Sequence, residues 1–131
     1  MSEPSSPQPA APYPPPPAGS APTADDRTIA MLIHLLAIVS TWVVPLVLWL
    51  VKKNESSYID HHGKECINFQ LTVFAAAIAL FVASCVPFLI FLTWPAMAAL
   101  GLLHVVFLVI AAVRANDGVL YRYPISLRLI S

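Results

Sequence analysis

Asp60-His61-His62-Gly63-Lys64-Glu65-Cys66 is the densest run of ligand- and proton-bearing side chains in this 131-residue sequence. On a helix, His61 and Glu65 stand four residues apart, as do His62 and Cys66, so each pair shares a face and could offer two ligands to one ion. Only one pair can face a given ion, and no further His or Cys cluster completes a tetrahedral set. His61, His62, Glu65 and Cys66 are therefore weak metal candidates, since vicinal histidines at a helix start are ordinarily surface groups. Covalent and phosphoryl chemistry have less support. No Ser pairs with a base, H-E-x-x-H is absent, and four glycines form no phosphate-binding loop. The sequence predicts no enzyme and no cofactor.

His34 and His104 lie inside apolar segments, as do Ser40, Thr41 and Ser84. An ionisable group within a membrane helix ordinarily has a function or a partner facing the bundle interior. A proton relay would need a carboxylate or a chain of polar groups through the membrane, and no Asp or Glu occurs between Asp26 and Glu55 or between Glu65 and Asp117. Neutral histidines hydrogen-bonded to neighbouring helices are the expectation.

The elements that must carry these residues are set by hydrophobicity. Residues 71–113 contain no Asp, Glu, Lys or Arg. As one helix they would extend ~64 Å, twice a bilayer's hydrocarbon thickness, so they predict a hairpin turning at Thr93-Trp94-Pro95. Ile29–Val51 adds another apolar stretch of ~34 Å, with a kink expected where Pro45 leaves the Thr41 carbonyl unpartnered. A hydrophobic fraction of 58%, a charged fraction of 11% and a mean hydropathy of +0.75 lie outside the range of soluble domains. The expected fold is all-α, with three transmembrane helices (about 27–52, 60–92 and 95–115) and an interfacial tail over 119–131. Asp25-Asp26 and Asp60 are the predicted helix starts, and Asn116-Asp117-Gly118 is a stop signal. Ala75, Ala79 and Ala83 form a small-residue ridge expected to close the hairpin. Residues 1–24 hold nine of 13 prolines, predicting a disordered Pro-rich tail and no signal peptide. Cys66 and Cys85, ~28 Å apart on one helix, predict no disulfide.

With three spans, Lys52, Lys53, Lys64, Arg114, Arg122 and Arg128 share one side and Arg27 alone lies on the other. The positive-inside rule then puts the 52–66 loop and the C-terminus in the cytoplasm and the N-terminal tail outside. Zero net charge gives no basic surface for nucleic acid.

Asp60 to Gln70 also resembles the D-x-H-G-K-E-A-x-N-F-Q signature of small bacterial membrane proteins with a domain of unknown function, also called Tic20-like. Cys66 stands where that family commonly has Ala. Gly118, Tyr121-Arg122-Tyr123-Pro124 and Arg128-Leu129-Ile130 are similar to the family's ending, and His34-Leu35, Pro45 and Trp49 to Lys53 to its first span. The resemblance covers residues 27–131. It implies a multi-pass membrane protein without known enzymatic activity, remotely akin to a chloroplast inner-envelope import subunit. Its motif positions here are Asp60, His62, Gly63, Lys64, Glu65, Asn68, Phe69, Gln70, Tyr121, Arg122, Tyr123, Pro124 and Arg128.

The function expected from these observations and this resemblance is that of a non-enzymatic structural or interaction component of the bacterial inner (plasma) membrane. Its partners are the lipid bilayer and either another membrane protein or further copies of the chain. Lys64, Glu65, Arg122 and Arg128 are the expected polar contacts at the cytoplasmic face. The alternative is an oligomeric pore or translocation subunit whose polar path includes His34, Thr41 or His104.

Overall fold

The computed structural model describes residues 21–131, so most of the Pro-rich segment lies outside the described residues. Four helices follow one another: α1 (Ala24–Ser40), α2 (Val43–Lys52), α3 (Ser57–Ser84) and α4 (Ile90–Asn116), with no strand among the described residues. Of these, α3 and α4 are long and apolar enough to cross a membrane.

Each helix end has a local cause. Thr23 caps α1 through a reciprocal box in which its hydroxyl accepts from the Asp26 amide and Asp26 accepts from the Thr23 amide. Ser56, rather than Asp60, caps α3 by accepting from the Tyr58 amide. α4 stops as Asn116-Asp117-Gly118 suggests. Gly118 takes φ +79°, its N–H bonds the Ala115 carbonyl, and the Val119 N–H bonds that of Arg114. This αL closure satisfies carbonyls that the helix end leaves open.

The hairpin turn differs from the expected Thr93-Trp94-Pro95. It lies at residues 85–89, where Pro87 has no N–H to continue α3 and the chain tightens into i→i−3 bonds from Cys85, Val86 and Leu89. Pro95 instead sits inside α4. The small-residue ridge also faces away from its expected partner, because Ala75 and Ala79 are exposed and only Ala83 is half-buried.

The largest departure concerns Ile29–Val51, read above as one continuous helix. It breaks at Thr41-Trp42, where Thr41 has φ 60° and ψ −111°. Pro45 falls in the first turn of α2, a position that needs no intrahelical N–H partner. The carbonyls released at the break are taken up by another helix: Gln70 Nε2 donates to Ala37 O at 3.2 Å and Thr41 O at 2.8 Å. Membrane helices tolerate a break when a neighbour satisfies the backbone in this way.

Beyond the break the chain turns back. Along α1, His34 meets His62, and Ala37 and Thr41 meet Gln70, so α1 and α3 ascend together. Along α2, the Trp49 indole donates to Asp60 at 2.9 Å. Residue 49 has thus returned past the level of residue 62 after residue 41 reached that of residue 70. α1 and α2 therefore form a hairpin whose apex stops at the middle of α3. The ends confirm the geometry: Arg27 packs over Gly118, and the Tyr58 hydroxyl donates to the Ala115 carbonyl at 2.8 Å. The start of α1, the end of α2, the start of α3 and the end of α4 gather at one end of the molecule. Every Asp, Glu, Lys and Arg of the described residues lies there, Arg27 included.

Of the helices only α3 and α4 continue beyond Gln70, for ~21 Å over residues 71–84, with the tail reaching as far as Thr72. Their outer surface is apolar, with Phe74, Phe81, Val82, Phe91, Leu92 and Leu102 all exposed.

Candidate functional site

At the charged end, the polar face of α3 meets α1 and the C-terminal tail in a buried hydrogen-bonded cluster. Its centre is a three-residue chain. Tyr123 Oη lies 2.9 Å from His34 Nδ1, His34 Nε2 lies 3.0 Å from His62 Nδ1, and His62 Nε2 lies 3.1 Å from the Val119 carbonyl. The carbonyl accepts only, so His62 carries its proton on Nε2 and presents Nδ1 as an acceptor. His34 must then donate from Nε2, leaving its Nδ1 to accept from Tyr123. With both imidazoles neutral, that one carbonyl fixes both tautomers and the direction of the chain. Burial pushes the Tyr123 phenol well above the ordinary tyrosine range, which keeps it a hydroxyl donor. The Tyr123 ring stacks on Phe69 with centroids 4.0 Å apart.

Around this centre, α3 offers one polar side chain per turn to the tail. The His61 Nε2 proton is directed to the Tyr121 carbonyl at 3.1 Å. Glu65 accepts from the Tyr123 amide and from Arg128 Nε, each at 3.3 Å. Asn68 makes three bonds of 2.9–3.0 Å to the backbone of Leu129 and Ile130, and the Thr72 hydroxyl accepts from the Leu127 amide at 2.8 Å. These regularly spaced side chains replace the partner strand that an extended tail would otherwise need. The tail therefore inserts Tyr123 into the core, where an interfacial ribbon was expected.

The remaining candidates are equally occupied. Asp60 accepts from Trp49 and pairs with Lys64 at 2.8 Å. Gly63 lies under the Trp49 indole, which a Cβ would overlap. Cys66 is buried beside the Ile33 carbonyl. His104 donates from Nε2 to Gln70 Oε1 at 2.6 Å, completing the cap on the α1–α2 apex. Thr41 contributes its backbone carbonyl at that apex. Arg122 and Pro124 are exposed.

The structure thus joins His34, His62 and Tyr123, with Glu65 and Arg128 beside them, in one cluster, while Asn68 ties down the tail and Gln70 with His104 caps the α1–α2 apex as a separate group. His61, Glu65 and Cys66 point to three different partners, and no set of three His, Cys, Asp or Glu side chains gathers around an ion position among the described residues. Three members were missed from sequence: Trp49 as the Asp60 donor, Tyr58 as the tie to α4, and Thr72 as the last rung. Thr72 continues the four-residue spacing of Asn68, a signal available in the sequence; the other two had none.

An apolar cleft of about 580 Å³ lies at the opposite end of the molecule, lined by Leu80, Phe81, Ile90, Trp94, Met97 and Ala98. Its Ser84 and Thr93 hydroxyls bond carbonyls of their own helices, so it offers no chemistry.

Residues 25–130, from the first turn of α1 through the end of the latched tail, match the magnetosome magnetite crystal formation protein family, MamF/MmsF. The chain belongs to the MamF/MmsF family. This corrects the resemblance drawn from the Asp60–Gln70 and Tyr121–Ile130 motifs: the matching family is MamF/MmsF, not a Tic20-like domain, and nothing relates the chain to the chloroplast import subunit. In this MamF/MmsF chain His62, Glu65 and Asn68 of that motif bond α3 to the C-terminal segment, whereas Asp60 and Gln70 hold α2 and the α1–α2 apex. No curated protein and no solved structure matches the chain.

Proposed function

We propose that this chain is a non-enzymatic structural component of the membrane in which magnetite crystals form. Family membership supports the process. The closed network at the charged end is the observation that carries the structural role. Its histidines, carboxylates and phenol are committed to one another or to backbone, and that favours a rigid anchor over a reaction centre.

In the membrane, α3 and α4 cross as a hairpin, while α1 and α2 enter and leave from the charged side. Glu65 is turned inward, so contact with a partner falls to exposed Arg122 and to the outer face of the Asp60–Lys64 pair. With Arg27 beside Gly118, all seven Lys and Arg lie at one end, and the positive-inside rule assigns that end to the cytoplasm.

Complementation of cells lacking the chain tests the role. His61→Gln keeps a donor for Tyr121 O but removes the imidazole. Crystals of normal size and number are expected whenever the variant is folded. Folded, membrane-inserted His61→Gln protein that supports no crystals would overturn the structural reading in favour of imidazole chemistry.

A further inference from the structure

The helices are unequally shared between the two halves of the molecule. On the charged side of the Gln70 level, four helices and the latched tail pack together; on the far side only α3 and α4 continue. A helix with its side chains is ~10 Å across. The near half therefore displaces roughly twice the cross-section of the far half, an excess of order 150 Å² or more. The apolar cleft of about 580 Å³ at the far end enlarges the asymmetry, because it is space for acyl chains rather than protein.

The difference is built rigidly. Gln70 caps both open carbonyls at the α1–α2 apex, His104 holds Gln70, and Trp49 lies on Gly63. The outer residues of the short hairpin, such as Val39, Val47 and Val51, are exposed and apolar, so it lies among acyl chains of one leaflet and not in water.

We infer that this wedge makes the protein favour strongly curved membrane that is convex on the charged side. In a flat bilayer both leaflets have equal area, so a body wider in one leaflet crowds its lipids and stretches those opposite. Convex curvature enlarges the near leaflet relative to the far one and removes that mismatch. Shallow apolar insertions confined to one leaflet respond to curvature for the same reason. The ligand is thus a lipid surface defined by its shape rather than by a headgroup.

The inference rests on the fold-back of α1–α2 proposed above. Its test is orientation-resolved sorting. Full-length Cys85→Ser/Asn54→Cys protein, labelled at the exposed loop before α3, is placed in giant vesicles of neutral phospholipid, and membrane tubes are pulled outward. Molecules whose label faces outside are separated from those facing inside by an impermeant quencher. Outward-facing molecules should be about threefold denser per lipid in the tube than in the parent membrane, and inward-facing molecules depleted by a similar factor. Equal density for both orientations, or enrichment of both alike, would overturn the wedge. Labelling at Ala21→Cys checks the fold-back separately: Ala21 and Asn54 on one side with no sorting refutes the wedge alone.

Discussion

Tyr123 shows how a single residue at the end of the chain can organise its beginning. Its hydroxyl lies 89 positions from His34 in sequence, yet the two form the buried start of the His34–His62–Val119 chain. Tyr123→Phe keeps the stack on Phe69 but leaves His34 Nδ1 buried without a donor. It should lower stability by about 1–3 kcal/mol, read as an earlier unfolding transition in detergent. Asn68→Ala removes three bonds to Leu129 and Ile130 at a cost of about 2–3 kcal/mol. It should also make residues 125–131 susceptible to limited proteolysis while α3 and α4 stay resistant. Equal protease resistance of this variant and the parent would mean that the tail is held by something other than Asn68. These residues were visible in the sequence as a motif, but their pairing was not. Nothing in local spacing says that His62 meets His34 rather than a metal ion, because the decisive partner, the Val119 carbonyl, is backbone supplied by a turn after α4.

At the scale of elements, the two long helices were legible because an uncharged run of 43 residues has few other solutions. The Asn116-Asp117-Gly118 stop was legible because αL closure demands glycine. The fold-back of α1–α2 was not. The 23 residues of Ile29–Val51, apolar but for His34, Ser40 and Thr41, satisfy the length of a span, and Pro45 signals a disturbance without giving its angle. The reversal depends on Gln70, 29 residues beyond Thr41, which turns an open helix end into a satisfied one. Two substitutions examine this hairpin. Thr41 holds a positive φ that a β-branched residue adopts at a cost, so Thr41→Gly should stabilise the protein by about 1 kcal/mol if the apex is formed as described. Loss of stability would indicate a continuous helix through residue 41, where glycine is unfavourable. Gly63→Ala forces a methyl group into the Trp49 indole and should destabilise by about 1–3 kcal/mol. Full relief is expected in the Gly63→Ala/Trp49→Leu double variant relative to Trp49→Leu alone.

On the scale of the whole molecule, one end carries charge and a closed polar network, and the other is an apolar hairpin tip with exposed Phe88, Phe91 and Trp94. Such a body sits in a membrane with its chemistry confined to one face. That arrangement suits a component that shapes or anchors a crystal-forming membrane better than one that conducts across it. The two views of the first apolar stretch make opposite statements about where the chain enters. Variants with one added cysteine, Ala21→Cys, Asn54→Cys and Ser131→Cys, each in a Cys85→Ser background that leaves only the buried Cys66 besides, can be treated with an impermeant maleimide in sealed right-side-out and inverted vesicles. All three should react only from the cytoplasmic side. Reaction of Ala21→Cys from the side opposite to Asn54→Cys would contradict the fold-back and restore a third crossing.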